Sequence, residues 1–367
     1  MPIYAFTGSL TRPMPQYGAA NGQGIGRLAF DDETGRLSRV DLTGNVDDTA
    51  WLVPDPRRGR LYSTCEITGT NQSAVVAYDV TGPTGRGMQR VGQQQTLGNE
   101  ACHASLSTDG RFLLVANYNG ANPEGYPDAA LTVFPIGTDG ALEAPVASVT
   151  HTGSGPNRDR QTTAHAHCVV PAPAGDTVYV SDLGIDKLVA YSLDVSGGLT
   201  RQPSRDFSFP PGLGPRHLVF SADGRSIFVV SELIATVVSL AVDPATGALT
   251  QRDAFTIPSL DGGIVQSAGI LLAPDGRHLF VSLRVCDEIL VLRIGEGGRL
   301  TQTARVPSGG RTPRDLCFSP SGKHLVVANQ DSDRLTVFRV DHAAGTLSEP
   351  LQHFEIGTPM SVKLAAF

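Results

Sequence analysis

The chain has 367 residues, 40% of them hydrophobic, and a formal net charge of −7. That apolar fraction suffices for a packed core and excludes a disordered polymer. The acidic balance, with no run of Lys or Arg, excludes an extended nucleic-acid surface and leaves room only for a local basic pocket.

The opening MPIYAFTGSLTRP lacks the charged-then-apolar pattern of a secretory signal. No stretch approaches the roughly 18 apolar residues of a membrane helix. Cys65, Cys102, Cys168, Cys286 and Cys317 are odd in number, show no C-x-x-C spacing and lie in or beside strand-like runs. They read as buried thiols, and the expected location is cytoplasmic.

IYAFTGSL reads as a strand and LAFDDETGRLSRV as the hairpin that follows it. From Trp51 onward one unit recurs: WLVPDPRRGRLYSTCEITGTNQSAVVAYDV, then CHASLSTDGRFLLVANYNG, then AHCVVPAPAGDTVYVSDLGIDKLVAYSLDV. It returns as GPRHLVFSADGRSIFVVSELIATVVSLAVDPATGALTQR, SAGILLAPDGRHLFVSLRVCDEILVLRIGEGGRLTQT and TPRDLCFSPSGKHLVVANQDSDRLTVFRVDHAAGTLSEP. The turn glycines Gly59, Gly110, Gly175, Gly224, Gly276 and Gly322 recur about every fifty residues, with one longer gap. Short strands between Gly, Pro and Asp turns, almost without helical periodicity, predict an all-β chain. A four-stranded unit at this spacing predicts a β-propeller blade.

The tail TPMSVKLAAF resembles the opening strand of a repeat and then stops. Joined to the N-terminal strands it completes a seventh blade and leaves no open edge. The expected fold is therefore a seven-bladed β-propeller over residues 1–367 as a single domain, although length alone suggests two. The longer gap holds Gly/Pro/Asn-rich connections, NGANPEGYPD and HTGSGPNRDRQ, of the kind that cover sites.

In a blade the first strand is innermost and the second returns antiparallel to it. Residues before the first and after the second therefore meet on one face near the channel. The first set comprises His103, His165, His167, Arg216, His217, Gln266 and Arg314; the second comprises Glu66, Asn117, Asp182, Glu232, Arg284 and Asn329. These positions vary while turns and strands stay constant, which reads as a site grafted on a scaffold. The competing assignment is strand capping and inter-blade ion pairing. Several arginines in a channel suit a carboxylate or phosphate. Glu232 after a β-branched run must be paired or catalytic, and His165 and His167, two apart, share a face and supply a base near neutral pH. His278 and His324, directly after turns, read as structural. A metal held by Glu66, Asn117 and Asp182 is a lesser alternative. No G-x-S-x-G, H-E-x-x-H or Walker pattern is present.

CHASLSTDGRFLLVANYNG, GPNRDRQTTAHAHCV with SDLGIDKL, GPRHLVFSADGRSIFVVSEL and TPRDLCFSPSGKHLVVANQDSD together resemble the seven-bladed lactonase family, which holds propeller-type 6-phosphogluconolactonases and fungal carboxymuconate lactonizing enzymes. The resemblance spans essentially the whole chain. It implies a catalytic His167 (with His165 adjacent), Arg216, Glu232 and Arg284, and it departs from the family at Ser282-Leu283-Arg284-Val285, where S-N-R-G is common, and at Ser231-Glu232-Leu233, where N-E-L is usual. His103, Asn117, His165, Asp182, Arg314 and Asn329 are the expected substrate-binding residues. The leading expectation is hydrolysis of a small anionic sugar-acid lactone without metal or cofactor, by a monomer or homodimer. Water would be activated by His167 or Glu232, Arg216 would hold the oxyanion, and Arg284, with Arg314, would hold the substrate anion. The alternatives are a carboxymuconate cycloisomerase and a non-catalytic binding propeller.

Overall fold

Alternating β-branched and aromatic residues, cut by turns that need a left-handed residue, favour short antiparallel hairpins. Gly110 and Gly224, at two such turns, adopt φ of 71° and 68°, where any side chain is strained. The computed structural model describes residues 1–367 except 15–19, 45, 67–72, 83–84, 120–127 and 260–261. Its strands form seven sheets, each a run of antiparallel neighbours from the channel outward. Helix among the described residues is confined to 3-10 turns at Pro203–Arg205, Glu296–Gly298 and Gln330–Ser332.

The inner strands are Thr49–Asp55, Ala101–Leu106, Ala166–Pro171, Pro215–Phe220, Ser267–Leu272, Pro313–Phe318 and Pro359–Ala366. Each touches the inner strands of both neighbouring blades, so they close a ring around the axis. The expected closure is present: Pro359–Ala366 pairs antiparallel with Ile3–Ser9, with Ile3 opposite Ala366 and Thr7 opposite Val362. Both chain ends therefore build one blade, and the all-β, seven-bladed expectation holds.

Blades are held face to face by apolar side chains. Phe112, Leu114, Leu131 and Val133 of one blade meet Val169, Val178 and Val180 of the next. Across the closure, Val326, Leu335 and Val337 meet Ala5, Leu28 and Phe30. Burying each large apolar side chain contributes about 1.5–3 kcal/mol, so the ring is stabilised mainly between blades. Of the two long connections expected to cover a site, most of NGANPEGYPD lies outside the described residues; the segment 151–161 is described and reaches the channel mouth.

Candidate active site

The site begins with a register slip. Inner and second strands pair regularly until the mouth of the channel, where each inner strand carries an extra residue. Ala166 faces Asp182 and Cys168 faces Ser181, so His167 between them is left out of the ladder. Arg216, Arg314 and Cys102 occupy the same bulged position in their blades. A bulge bends the strand and re-aims its extra side chain; here it aims four such residues at one cleft.

Immediately beyond the second strand, the next N–H bonds back to the residue preceding the inner strand. Glu66 N donates to Asp48 O, Tyr118 N to Glu100 O, Glu232 N to Gly214 O and Arg284 N to Gln266 O. Glu66, Tyr118, Glu232 and Arg284 thereby stand beside the bulged residues. Together these two sets wall a cleft of about 650 Å³ at one end of the channel.

Glu232 is its electrostatic centre. Its Oε2 accepts from Arg216 Nε at 2.9 Å and its Oε1 from Arg160 Nη2 at 2.6 Å. Arg284 Nη2 lies 3.1 Å and His167 Nε2 4.0 Å from Oε2. Burial alone would raise the carboxyl, but Arg284, Arg216 and Arg160 outweigh it and hold Glu232 well below the usual carboxylate range. Arg216 is fixed further by donating Nη1 to Ala268 O at 2.9 Å and to His217 Nε2 at 3.1 Å. Burial and then Arg284 pull the Arg216 guanidinium down to about 10, so it stays charged at neutral pH. Burial, followed by Arg216, pushes His167 well below the ordinary imidazole value. His167 is therefore neutral at pH 7, and its buried Nδ1 has no hydrogen-bond partner among the described residues. Across the cleft Arg314 Nη2 lies 3.6 Å from Glu66 Oε2.

His165 also lines the cleft. Its Nδ1 donates to Tyr118 O at 2.8 Å, and its ring stacks on Tyr118 at 4.3 Å. Four of the expected substrate-binding residues sit elsewhere. Asn117, Asp182 and Asn329 end the second strands and face their own blades. Asn117 Nδ2 donates to Thr96 O and Ala129 O, and Asn329 Nδ2 to Ser308 O and Thr336 Oγ1. Asp182 takes the His165 and Gly184 N–H groups and pairs with His151 Nδ1 at 2.6 Å. With Asp182 engaged in this way, and neither Asn117 nor Asp182 lining the cleft that holds Glu66, the Glu66/Asn117/Asp182 metal alternative does not fit. No group of three or more His, Cys, Asp or Glu able to hold a metal occurs among the described residues. His103 follows its bulge by one residue and so points toward the opposite end, into an apolar cavity with Trp51, His217 and Lys363. His278 and His324 are buried at the start of their second strands, near Asp275 and Asp32 and away from the cleft.

Tyr118 and Arg160 were not among the expected site residues. Tyr118 occupies the same repeat position as Glu232 and Arg284, so strict alignment of the units identifies it. Arg160 comes from the non-repeating connection. Its neighbour Gln161 is fully buried and bolts that connection down through Leu183 O at 2.8 Å and Asp186 Oδ1 at 2.9 Å. A Cβ at Gly155 would lie 2.5 Å from the Gln161 side-chain amide, so a larger residue there would have to shift that anchored group.

A family model described as "Lactonase, 7-bladed beta-propeller" matches residues 5–364. The chain is 31% identical over 349 residues to a 6-phosphogluconolactonase of Bacillus subtilis, covering 95% of this chain and 96% of that one. A 6-phosphogluconolactonase of Formosa agariphila is 27% identical over 367 residues, with 99% of each chain covered. The structure of a periplasmic gluconolactonase from Pseudomonas aeruginosa superposes with a TM-score of 0.86 at 29% identity, covering 100% of this chain and 99% of that one. No helix among the described residues is long and apolar enough to cross a membrane. The chain belongs to the seven-bladed lactonase family.

Proposed function

We propose that this member of the seven-bladed lactonase family hydrolyses the ring ester of an anionic sugar-acid lactone, with 6-phosphogluconolactone, named by its relatives, as the candidate substrate. The carrying observation is a neutral His167 set beside the Glu232–arginine cluster in an open cleft. Water attacks the lactone carbonyl and gives its proton to the His167 imidazole. The tetrahedral oxyanion is stabilised by the Arg216 or Arg284 guanidinium; one well-placed donor contributes roughly 3–4 kcal/mol to such a state. The ring C–O bond then breaks, and the proton held by His167 passes to the departing hydroxyl.

Glu232 has a different part from the one the sequence left open. A carboxylate clasped by Arg160, Arg216 and Arg284 is too weak a base to activate water at neutral pH, and its depressed pKa supports a positioning role. It neutralises part of the arginine charge and fixes two buried guanidiniums toward the cleft. Hydrolysis is preferred to ring closure by the same groups because the relatives named above are lactonases by name.

The test is proton release at near-neutral pH from freshly made 6-phosphogluconolactone, beside glucono-1,5-lactone. Acceleration well above spontaneous hydrolysis that falls 10²–10⁴-fold in His167→Asn, the range for loss of a general base, is the expected result. An inert wild-type protein would overturn the reading.

A further inference from the structure

Three guanidiniums reach Glu232, and they differ in how they are mounted. Arg216 sits on an inner-strand bulge and Arg284 directly after a second strand; their side chains are 2% and 16% exposed. Arg160 comes instead from the connection between blades, and 36% of its side chain faces solvent. The only other partner of its guanidinium among the hydrogen bonds described is the Tyr118 hydroxyl, 3.1 Å from the same Nη2 that holds Glu232. The backbone beneath is rigid: Gln161 is anchored on Asp186, and Asn157 Oδ1 accepts the Asp159 and Arg160 N–H groups at 3.0 and 3.1 Å.

Arg160 is thus a fixed stem with an accessible tip at the rim of the cleft. Glu232 keeps two other guanidiniums when Arg160 turns away, so releasing it does not strand a buried carboxylate. A phosphate dianion offers a guanidinium more charge and a better bidentate match than a carboxylate shared three ways.

We infer that Arg160 exchanges its Glu232 contact for the phosphate of the bound substrate, and so makes the enzyme selective for a phosphorylated over an unphosphorylated lactone. The inference rests on the lactonase reading above. It assigns phosphate recognition to the rim and leaves Arg216 and Arg284 to the reacting carbonyl.

The experiment compares wild type, Arg160→Gln and Arg160→Lys on 6-phosphogluconolactone and glucono-1,5-lactone. Calorimetry measures binding of the products 6-phosphogluconate and gluconate, and thermal unfolding checks the fold. In Arg160→Gln, kcat/KM for the phosphorylated lactone should fall about tenfold to a hundredfold, the range for a lost charged hydrogen bond. The unphosphorylated lactone should change less than about threefold, and 6-phosphogluconate binding should weaken in parallel. Arg160→Lys, which keeps the charge without the fork, should fall between. Equal loss on both lactones would overturn the inference, because Arg160 would then act only by holding Glu232. An unchanged preference would overturn it too. A wild type inert on both lactones defeats the lactonase reading, and product binding then decides the assignment of Arg160 separately.

Discussion

Replacing Glu232 by Gln keeps the side-chain shape and removes the one carboxylate that Arg160, Arg216 and Arg284 share. The contributions are unequal. Arg160 is partly exposed, so water screens most of its share. Arg216 is 2% exposed, and it already feels burial and the Arg284 charge strongly enough to be drawn down to about 10. Without its counter-ion it becomes an uncompensated buried cation, and breaking such a pair costs about 3–5 kcal/mol. Denaturant unfolding of wild type and Glu232→Gln at pH 7 should show that difference. The pH dependence sharpens the test. Glu232 is held below its ordinary value of 4.5 in the folded state, so on acidification the unfolded chain takes up this proton first. The stabilisation is complete above about pH 5 and is lost as pH falls toward the folded value, whereas the Gln variant has no such proton to gain. The gap between the two proteins should therefore narrow progressively as pH falls from 5 toward 3, by up to about 1.4 kcal/mol per pH unit. A gap that is absent at pH 7, or that stays constant through this window, refutes the account of Glu232 as the shared counter-ion.

His103, His167 and His217 all lie well below the ordinary imidazole value of 6.5 because burial disfavours their charged forms. Stability should accordingly fall as pH drops below about 6.5, by up to roughly 4 kcal/mol per pH unit if all three titrate only on unfolding. Denaturation midpoints at pH 7 and 5.5 test this, and His217→Gln should flatten the slope. Leu114, fully buried between blades, should cost about 2–5 kcal/mol when replaced by Ala, seen by chemical denaturation and with lactone hydrolysis retained below the midpoint. Hydrolysis should survive prolonged treatment with a chelator; loss restored by one added divalent cation would require a metal site that the described residues do not assemble.

The scaffold was legible because each unit repeats its turn, its apolar strands and their spacing, and because the two incomplete ends are complementary halves of the same unit. Glu66, Glu232 and Arg284 were legible as charges following strands that bury their side chains. The placement of Asn117, Asp182 and Asn329 failed by one residue. In a strand that step reverses the face a side chain occupies, so these three tie the blade together while Tyr118, one position on, borders the cleft. The bulge explains the opposite fates of His103 and His167. One stands in the ladder and the other is pushed out of it, a distinction set by pairing with a second strand and invisible in either segment alone. Arg160 was hidden for another reason, since a connection without a repeat has no equivalent to compare it with. Whether Glu232 anchors or acts as a base depends on how many arginines converge on it, and that count exists only after folding.

The shared blade at the closure has a consequence for the nascent chain. Ile3–Ser9 is made first among the strands, but its inner neighbour, Pro359–Ala366, emerges from the ribosome about 350 residues later, roughly 20–70 s at ordinary rates of synthesis. Throughout that interval one edge of the first hairpin presents unpaired N–H and C=O groups, the kind of edge that recruits foreign strands. The interval of greatest aggregation risk is thus set by translation time, and an amino-terminal fusion that shields this edge should raise soluble yield more than the same fusion placed at the other end.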